Sequence, residues 1–241
     1  MNAPLLLIPL AIEWVILVTT LAPLIFVGRF SNRPRTGIAI WFTTFLSTGS
    51  ATAIAIGVSI WAYTDTVSAL SRKPFGGEDW FVVLVVSFAP WLALAVGGVS
   101  LALINQKIEP LVETAKQVKP LLNLSKTPLQ NFMGVPVSTV ELPFAYALAT
   151  NREILISKFA VDHLSRDELD AVLWHEVCHV KEKHFAMKQL ARLIRELSPA
   201  LTASRALVGE VERLVEIAAD MHALKKVTAP TLRLARKLFE I

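Results

Sequence analysis

The sequence predicts a mainly α protein in two parts: a membrane domain over residues 1–110 with three spanning helices, then an α+β domain over 111–241 with a small sheet. Composition is the first sign. Hydrophobic residues make up 54% of the 241 and charged ones 18%, and mean hydropathy is +0.52, well to the apolar side of soluble globular chains. The second sign is three apolar stretches, at about 5–27, 38–63 and 80–104, each longer than the ~20 residues needed to cross hydrocarbon. The third is a change of character beyond them, where 106–122 turns polar and amphipathic around Pro110 and Pro120 and marks the domain boundary.

The first stretch lacks the basic start of a signal peptide, exceeds the usual apolar core and ends without a small-x-small site, so it reads as a retained anchor. Its one charge, Glu13, either faces other helices and water or is tolerated near the outer leaflet, and it is assigned no role. In the second stretch Gly49, Ala53 and Gly57 form a row of small residues that would let another helix approach closely. Orientation follows from the basic residues of the connections. Arg29, Arg33 and Arg35 follow the first span, and Lys107, Lys116, Lys119 and Lys126 follow the third. The middle connection sets Arg72 and Lys73 among Asp65, Glu78 and Asp79. The positive-inside rule then puts the N-terminus outside a plasma membrane and residues 111–241 in the cytoplasm. These basic flanks also account for the net charge of +4, and without an aromatic-interleaved basic patch no direct nucleic-acid partner is expected.

In the second part, 123–135 reads as a loop, and 137–147 alternates around Pro143 as an edge strand or a bulged one. Glu141, Leu142, Pro143, Phe144 and Ala145 are its exposed edge, open to an extended peptide or simply an ordinary strand edge. Ser165 and Glu168 then make a capping box, with Leu164 and Leu169 spaced as a hydrophobic staple, so a helix starts near Arg166. Leu169, Val172, Leu173, Val177 and Val180 give it one buried stripe. A second helix covers 210–226 on Val211, Leu214, Val215, Ala218 and Ala219. Between them, 185–208 is apolar, but Arg192, Arg195, Glu196 and Arg205 argue against a fourth span; it reads as a cytoplasmic or interfacial segment broken at Pro199. The final stretch, 231–241, reads as a basic amphipathic helix, either on the inner leaflet or in solvent.

The first of these helices carries His175-Glu-Val-Cys-His179. Four residues are just over one turn, so both imidazoles lie on one face and can grip one metal ion. Glu176 is then placed to take a proton from a water that the metal has acidified. The second helix carries Glu216-Ile-Ala-Ala-Asp220, one turn apart: Glu216 suits a third ligand and Asp220 an acceptor for the other ring N–H of a ligating histidine. With ligand and support supplied, His163, His184 and His222 are not needed as ligands, and Cys178 reads as a small buried hydrophobe. As the only cysteine it also fits a reducing compartment. Tyr146, Arg213 and His222 stay open as stabilisers of a developing oxyanion.

Together with 142–146, 153–157 and 164–169, these two motifs resemble the membrane-embedded gluzincin peptidases, namely the BlaR/MecR-type family and its relatives the HtpX-like and CAAX-processing proteases. The resemblance covers about 135–226 and implies a zincin-like domain with one Zn(2+) per chain, held by His175, His179 and Glu216, that hydrolyses a protein or peptide at the cytoplasmic face of the bilayer. It also implies a cytoplasmic transcriptional repressor as one kind of partner. A sensor domain of the BlaR/MecR kind has no room before Ile241. The alternative is a signal-transducing or scaffold protein that uses the zinc fold with little general proteolysis.

Overall fold

The structure, a computed structural model, describes residues 7–70, 126–199 and 201–239. Two long helices come first, α1 (Leu7–Phe26) and α2 (Pro34–Leu70). Proline at the first helical position costs α2 no hydrogen bond, because that N–H has no partner within a helix. Both helices are long and apolar enough to cross a membrane, and only 17% and 6% of their most apolar windows are buried. They show Ile12, Trp14, Leu17, Leu24, Ile54, Ile56 and Trp61 on the outside, a surface that a soluble core helix would cover. Glu13 is exposed on α1. The expected third span at 80–104, the amphipathic stretch 106–122 and the boundary near 110 lie outside the described residues.

The second part pairs four strands, β1 (Lys126–Phe132), β2 (Val135–Val140), β3 (Ala147–Ala149) and β4 (Ile154–Ser157), in the order β1-β2-β4-β3. β1 and β2 are antiparallel, β2 and β4 parallel, and β3 and β4 antiparallel. Residues 126–132 are therefore strand and not the loop expected from their polarity. β1 is an edge with mostly exposed side chains, and its register slips between Pro128 and Gln130, where a proline cannot donate to the ladder. Met133 and Gly134 close the hairpin with φ of 53° and 84°, the left-handed pair whose twist suits adjoining antiparallel strands. Leu142 to Ala145 fall between β2 and β3 with Glu141 and form no strand.

Helix α3 (Lys158–His163) is capped by the buried Ser157, and α4 (Arg166–Lys181) opens on Ser165 with both arms of the capping box formed. Ser165→Ala should destabilise the fold by about 1 kcal/mol at neutral pH. The Ser165 hydroxyl and main chain hold the Glu168 carboxyl below its ordinary 4.5. That contribution is present above 4.5 and disappears as pH falls through the lower folded value. Thermal unfolding of both proteins at pH 7 and pH 3 should show the difference shrink in acid.

After α4 come α5 (His184–Leu197), α6 (Thr202–Ala223) and α7 (Ala229–Lys237). The chain does break near Pro199, between α5 and α6, as the sequence suggests. One core lies between the sheet, α4 and α7, around Val137, Ile154, Ile156, Leu173, Val177, Leu232 and Ala235. The basic C-terminal helix is therefore packed on the domain through Leu232 and Ala235. A second core joins the ends of α1 and α2 to α5 and α6 through Trp41, Leu207, Val211, Leu214 and Val215. Helix α6 contributes to both.

Among the described residues, a Cβ on Gly49 or Gly57 in the small-residue row of α2 has no neighbour within 4 Å. Close approach occurs at Gly37, where a Cβ would stand 2.5 Å from Phe30 Cβ and 2.9 Å from Leu214 Cδ1. Gly37→Ala should therefore cost about 1–3 kcal/mol, as overpacking does, while Gly49→Ala stays near neutral. Unfolding temperatures in one detergent compare the two; equal losses would refute the assignment of the tight contact to Gly37.

Candidate metal centre

Helices α4 and α6 cross so that His175, His179 and Glu216 converge. The two Nε2 atoms lie 3.1 Å apart, and Glu216 Oε2 lies 3.3 Å from that of His175 and 3.6 Å from that of His179. Zinc–ligand bonds of about 2.0–2.2 Å set tetrahedral ligand–ligand edges at about 3.3–3.6 Å, which this triangle approaches. The donor set fits as well. His175 Nδ1 faces Asp220 and His179 Nδ1 faces His184, which leaves both Nε2 atoms and the carboxylate at one corner, a set of nitrogen and oxygen donors of the kind that zinc takes.

These two partners come from different elements. His175 Nδ1 is 3.0 Å from Asp220 Oδ1, both atoms are buried without a formal hydrogen bond, and Arg236 Nη2 of α7 stands 2.5 Å from the same oxygen. His179 Nδ1 is 2.9 Å from Nδ1 of His184. The chain returns there because Lys183, in the left-handed region at φ 56°, separates α4 from α5. Lys188 Nζ donates to Glu216 Oε1 at 2.8 Å. Burial opposes charge on His175, but Asp220, Glu216 and Glu176 overcome it and raise its pKa to about 9. Burial likewise pushes Glu216 up, yet the two histidines and Lys188 hold it far below the carboxylate range. Burial first, and then the electrostatic effect of His179, lower His184 to about 4.

Glu176 opens with His175 and Glu216 into a cleft of about 280 Å³, lined also by Ala147, Val172, Leu232, Arg236 and Phe239. Burial raises the Glu176 carboxyl, and His175 and His179 pull it partly back. The strand edge at this cleft is β3, with Ala147 on the wall, and not the segment of Glu141, Leu142, Pro143, Phe144 and Ala145. Pro143 has no N–H, and the chain bends at 143–144 before β3 begins. Of the oxyanion candidates, Tyr146 stands near enough to Glu176 for that carboxylate, after burial, to raise its phenol pKa. Arg213 instead donates to Glu210 and to Ser31. His222 lines a separate cavity of about 220 Å³ with Arg33, Arg35 and Lys225.

Sequence reasoning did not find His184, Lys188 or Arg236 at the centre. The spacing of Lys188 is silent, because its partner Glu216 lies on another helix. Cys178, Glu182 and His222 form a second group with donor atoms within 4.8 Å of one another. Arg35 occupies the Glu182 carboxylate, and burial with Glu182 nearby pushes the Cys178 thiol up to about 12, so this group is the poorer metal seat.

Residues 112–205 match the model of peptidase family M48. The match takes in the described sheet and the helix with His175, Glu176 and His179, and it supports a metallopeptidase domain of this zinc-dependent family. It stops before Glu216 and Asp220 and covers less than half of the chain. The M48 model does not single out the BlaR/MecR-type relatives that the motifs suggested. No curated protein compared with the chain matches it.

Proposed function

We propose that this chain is an integral membrane zinc metalloendopeptidase that hydrolyses peptide bonds of a protein substrate at the cytoplasmic face. The observation that carries the reading is the near-tetrahedral triangle of His175, His179 and Glu216 at the wall of a cleft that also holds Glu176, in a chain whose residues 112–205 match peptidase family M48. Zinc held by these three residues supplies a Lewis acid that polarises a carbonyl and activates water. Glu176 takes the proton of the attacking water and passes it to the leaving amine. The edge of β3, terminal in the described sheet, receives an extended peptide through its main chain, which demands little of the side chains. Asp220 and His184 hold the two imidazoles in the tautomer that presents Nε2.

The membrane placement draws support from the exposed apolar faces of α1 and α2. Their connecting turn meets the peptidase domain, with Arg213 donating to Ser31 at 3.0 Å, so both lie on one side of these helices. The basic residues of that turn favour the cytoplasmic side. Metal analysis of the detergent-purified full chain should find one zinc per chain, and none in His175→Ala. A wild type that copurifies with no metal and takes up none would end the proposal. The scaffold reading is separated by a cleavage assay with Glu176→Gln, argued below.

A further inference from the structure

We infer that Arg35, in the first turn of α2, is a positioning residue of the metal centre: through Glu182 and His184 it fixes the ring of His179, so that a membrane helix helps hold the metal. The inference rests on the metallopeptidase reading and extends it to a part of the chain that the family match does not cover.

A ligating imidazole must give the N–H it does not use to an acceptor, or its ring is free to turn. For His175 that acceptor is Asp220, itself held by Arg236. For His179 it is His184, a group only 1% exposed whose Nδ1 lies 2.9 Å from Nδ1 of His179. If His179 donates from Nδ1, then His184 must accept at Nδ1 and carry its own proton on Nε2. That nitrogen lies 3.4 Å from Glu182 Oε2, an ion-pair distance without a formal hydrogen bond. Glu182 is in turn gripped by Arg35, whose Nε lies 2.9 and 3.0 Å from the two carboxylate oxygens and whose Nη2 lies 2.5 Å from Oε1. The contacts run as one series from His179 through His184 and Glu182 to Arg35. Both ligating histidines are thus backed by a carboxylate and an arginine, one from α7 and one from α2.

Glu182 is well placed to transmit. It caps α4, its N–H bonds Cys178 O at 2.9 Å, and its Oε1 accepts from Cys178 Sγ at 3.4 Å. Its carboxylate is therefore held from the α4 side as well as by Arg35. A free Glu182 would swing into solvent and take from the buried His184 Nε2 the carboxylate that stands 3.4 Å away, which favours reorientation of the ring. Because Gly37 and Trp41, two and six residues further along α2, are packed tightly against Phe30, Leu214 and the second core, Arg35 cannot shift independently of the helix.

The test uses the full chain in detergent, with zinc affinity read by competition against a chromophoric chelator and ligand geometry read from the visible absorption of cobalt(II) in the same site. Arg35→Gln and Glu182→Gln should each weaken zinc by about 10-fold, the low end of the effect of groups that orient metal ligands, and shift the cobalt band. The double variant should bind no worse than the weaker single one, since both changes break one series. Arg35→Lys, which keeps the charge but not the two-pronged grip, should recover part of the loss and also decides the matter if Arg35→Gln does not fold. Arg192→Gln breaks a comparable exposed pair with Glu212 and should change neither readout. Wild-type affinity and an unshifted cobalt spectrum in Glu182→Gln together with Arg35→Gln or Arg35→Lys would overturn the inference alone. A wild type that binds no metal would overturn the metallopeptidase reading with it.

Discussion

Replacing Glu176 by Gln should lower kcat for peptide hydrolysis by about 10²–10⁴-fold, the range of a positioned general base, while zinc stays bound. Glutamine has the shape of glutamate, so the packing of this half-buried position on α4 is kept. What disappears is the proton acceptor. Glu176 is not among the three groups that converge on the metal position, so its loss should leave metal content unchanged. Burial raises its pKa while His175 and His179 draw it back, which suits a group that must accept a proton and then release it. The change should fall mainly on kcat and less on KM, because Glu176 acts on the attacking water and the leaving amine more than on the resting substrate. Turnover measured beside metal content decides it. Undiminished hydrolysis by the variant would place the base elsewhere, with Tyr146 the nearest alternative, and no hydrolysis by either protein, with zinc bound in both, would favour the scaffold reading.

The parts of this centre that were legible in the sequence are those whose geometry is local. Ser165 and Glu168 announce the start of α4 because a capping box closes within three residues. His175 and His179 share a face because a helix repeats every 3.6 residues. Glu216 and Asp220 follow the same rule on α6, although which histidine each one serves is settled only by how the helices cross. His184 was present in the sequence as a spare donor, but its place beneath His179 depends on a left-handed turn at Lys183, where no glycine gives warning. Arg236 looked like part of a basic tail. It reaches Asp220 only because Leu232 and Ala235 bury α7 in the core. The glycines of α2 make the same point: the row at 49, 53 and 57 carries the more familiar spacing, yet Gly37 has the tight neighbours, contributed by Phe30 and by Leu214 from a helix far along the chain. Strand β1 was hidden by its own exposure, since an edge strand with Pro128 and Asn131 is as polar as a loop.

Glu216→Gln should weaken zinc binding by more than the ~10–100-fold lost when a residue that only orients a ligand is changed, because it removes a ligand charge from the centre itself. The family match ends at residue 205, so the third ligand rests on geometry, and this variant is its sharpest test. The substitution is nearly isosteric, and Glu216 is 45% exposed at its side chain, so the fold should tolerate it. Without the carboxylate, Lys188 Nζ loses its ion pair at 2.8 Å and a positive charge remains beside the two imidazoles, opposing a dication further. His175 should lose part of the support that raises its pKa to about 9 in the metal-free protein. Glu212→Gln, one turn earlier on α6 and paired with the exposed Arg192, provides the control and should bind zinc as the wild type does. Chelator competition on the three proteins at one pH gives the comparison. If Glu216→Gln held zinc as tightly as the control, the third ligand would lie elsewhere, and the approach of α6 to α4 would be a matter of packing and not of metal chemistry.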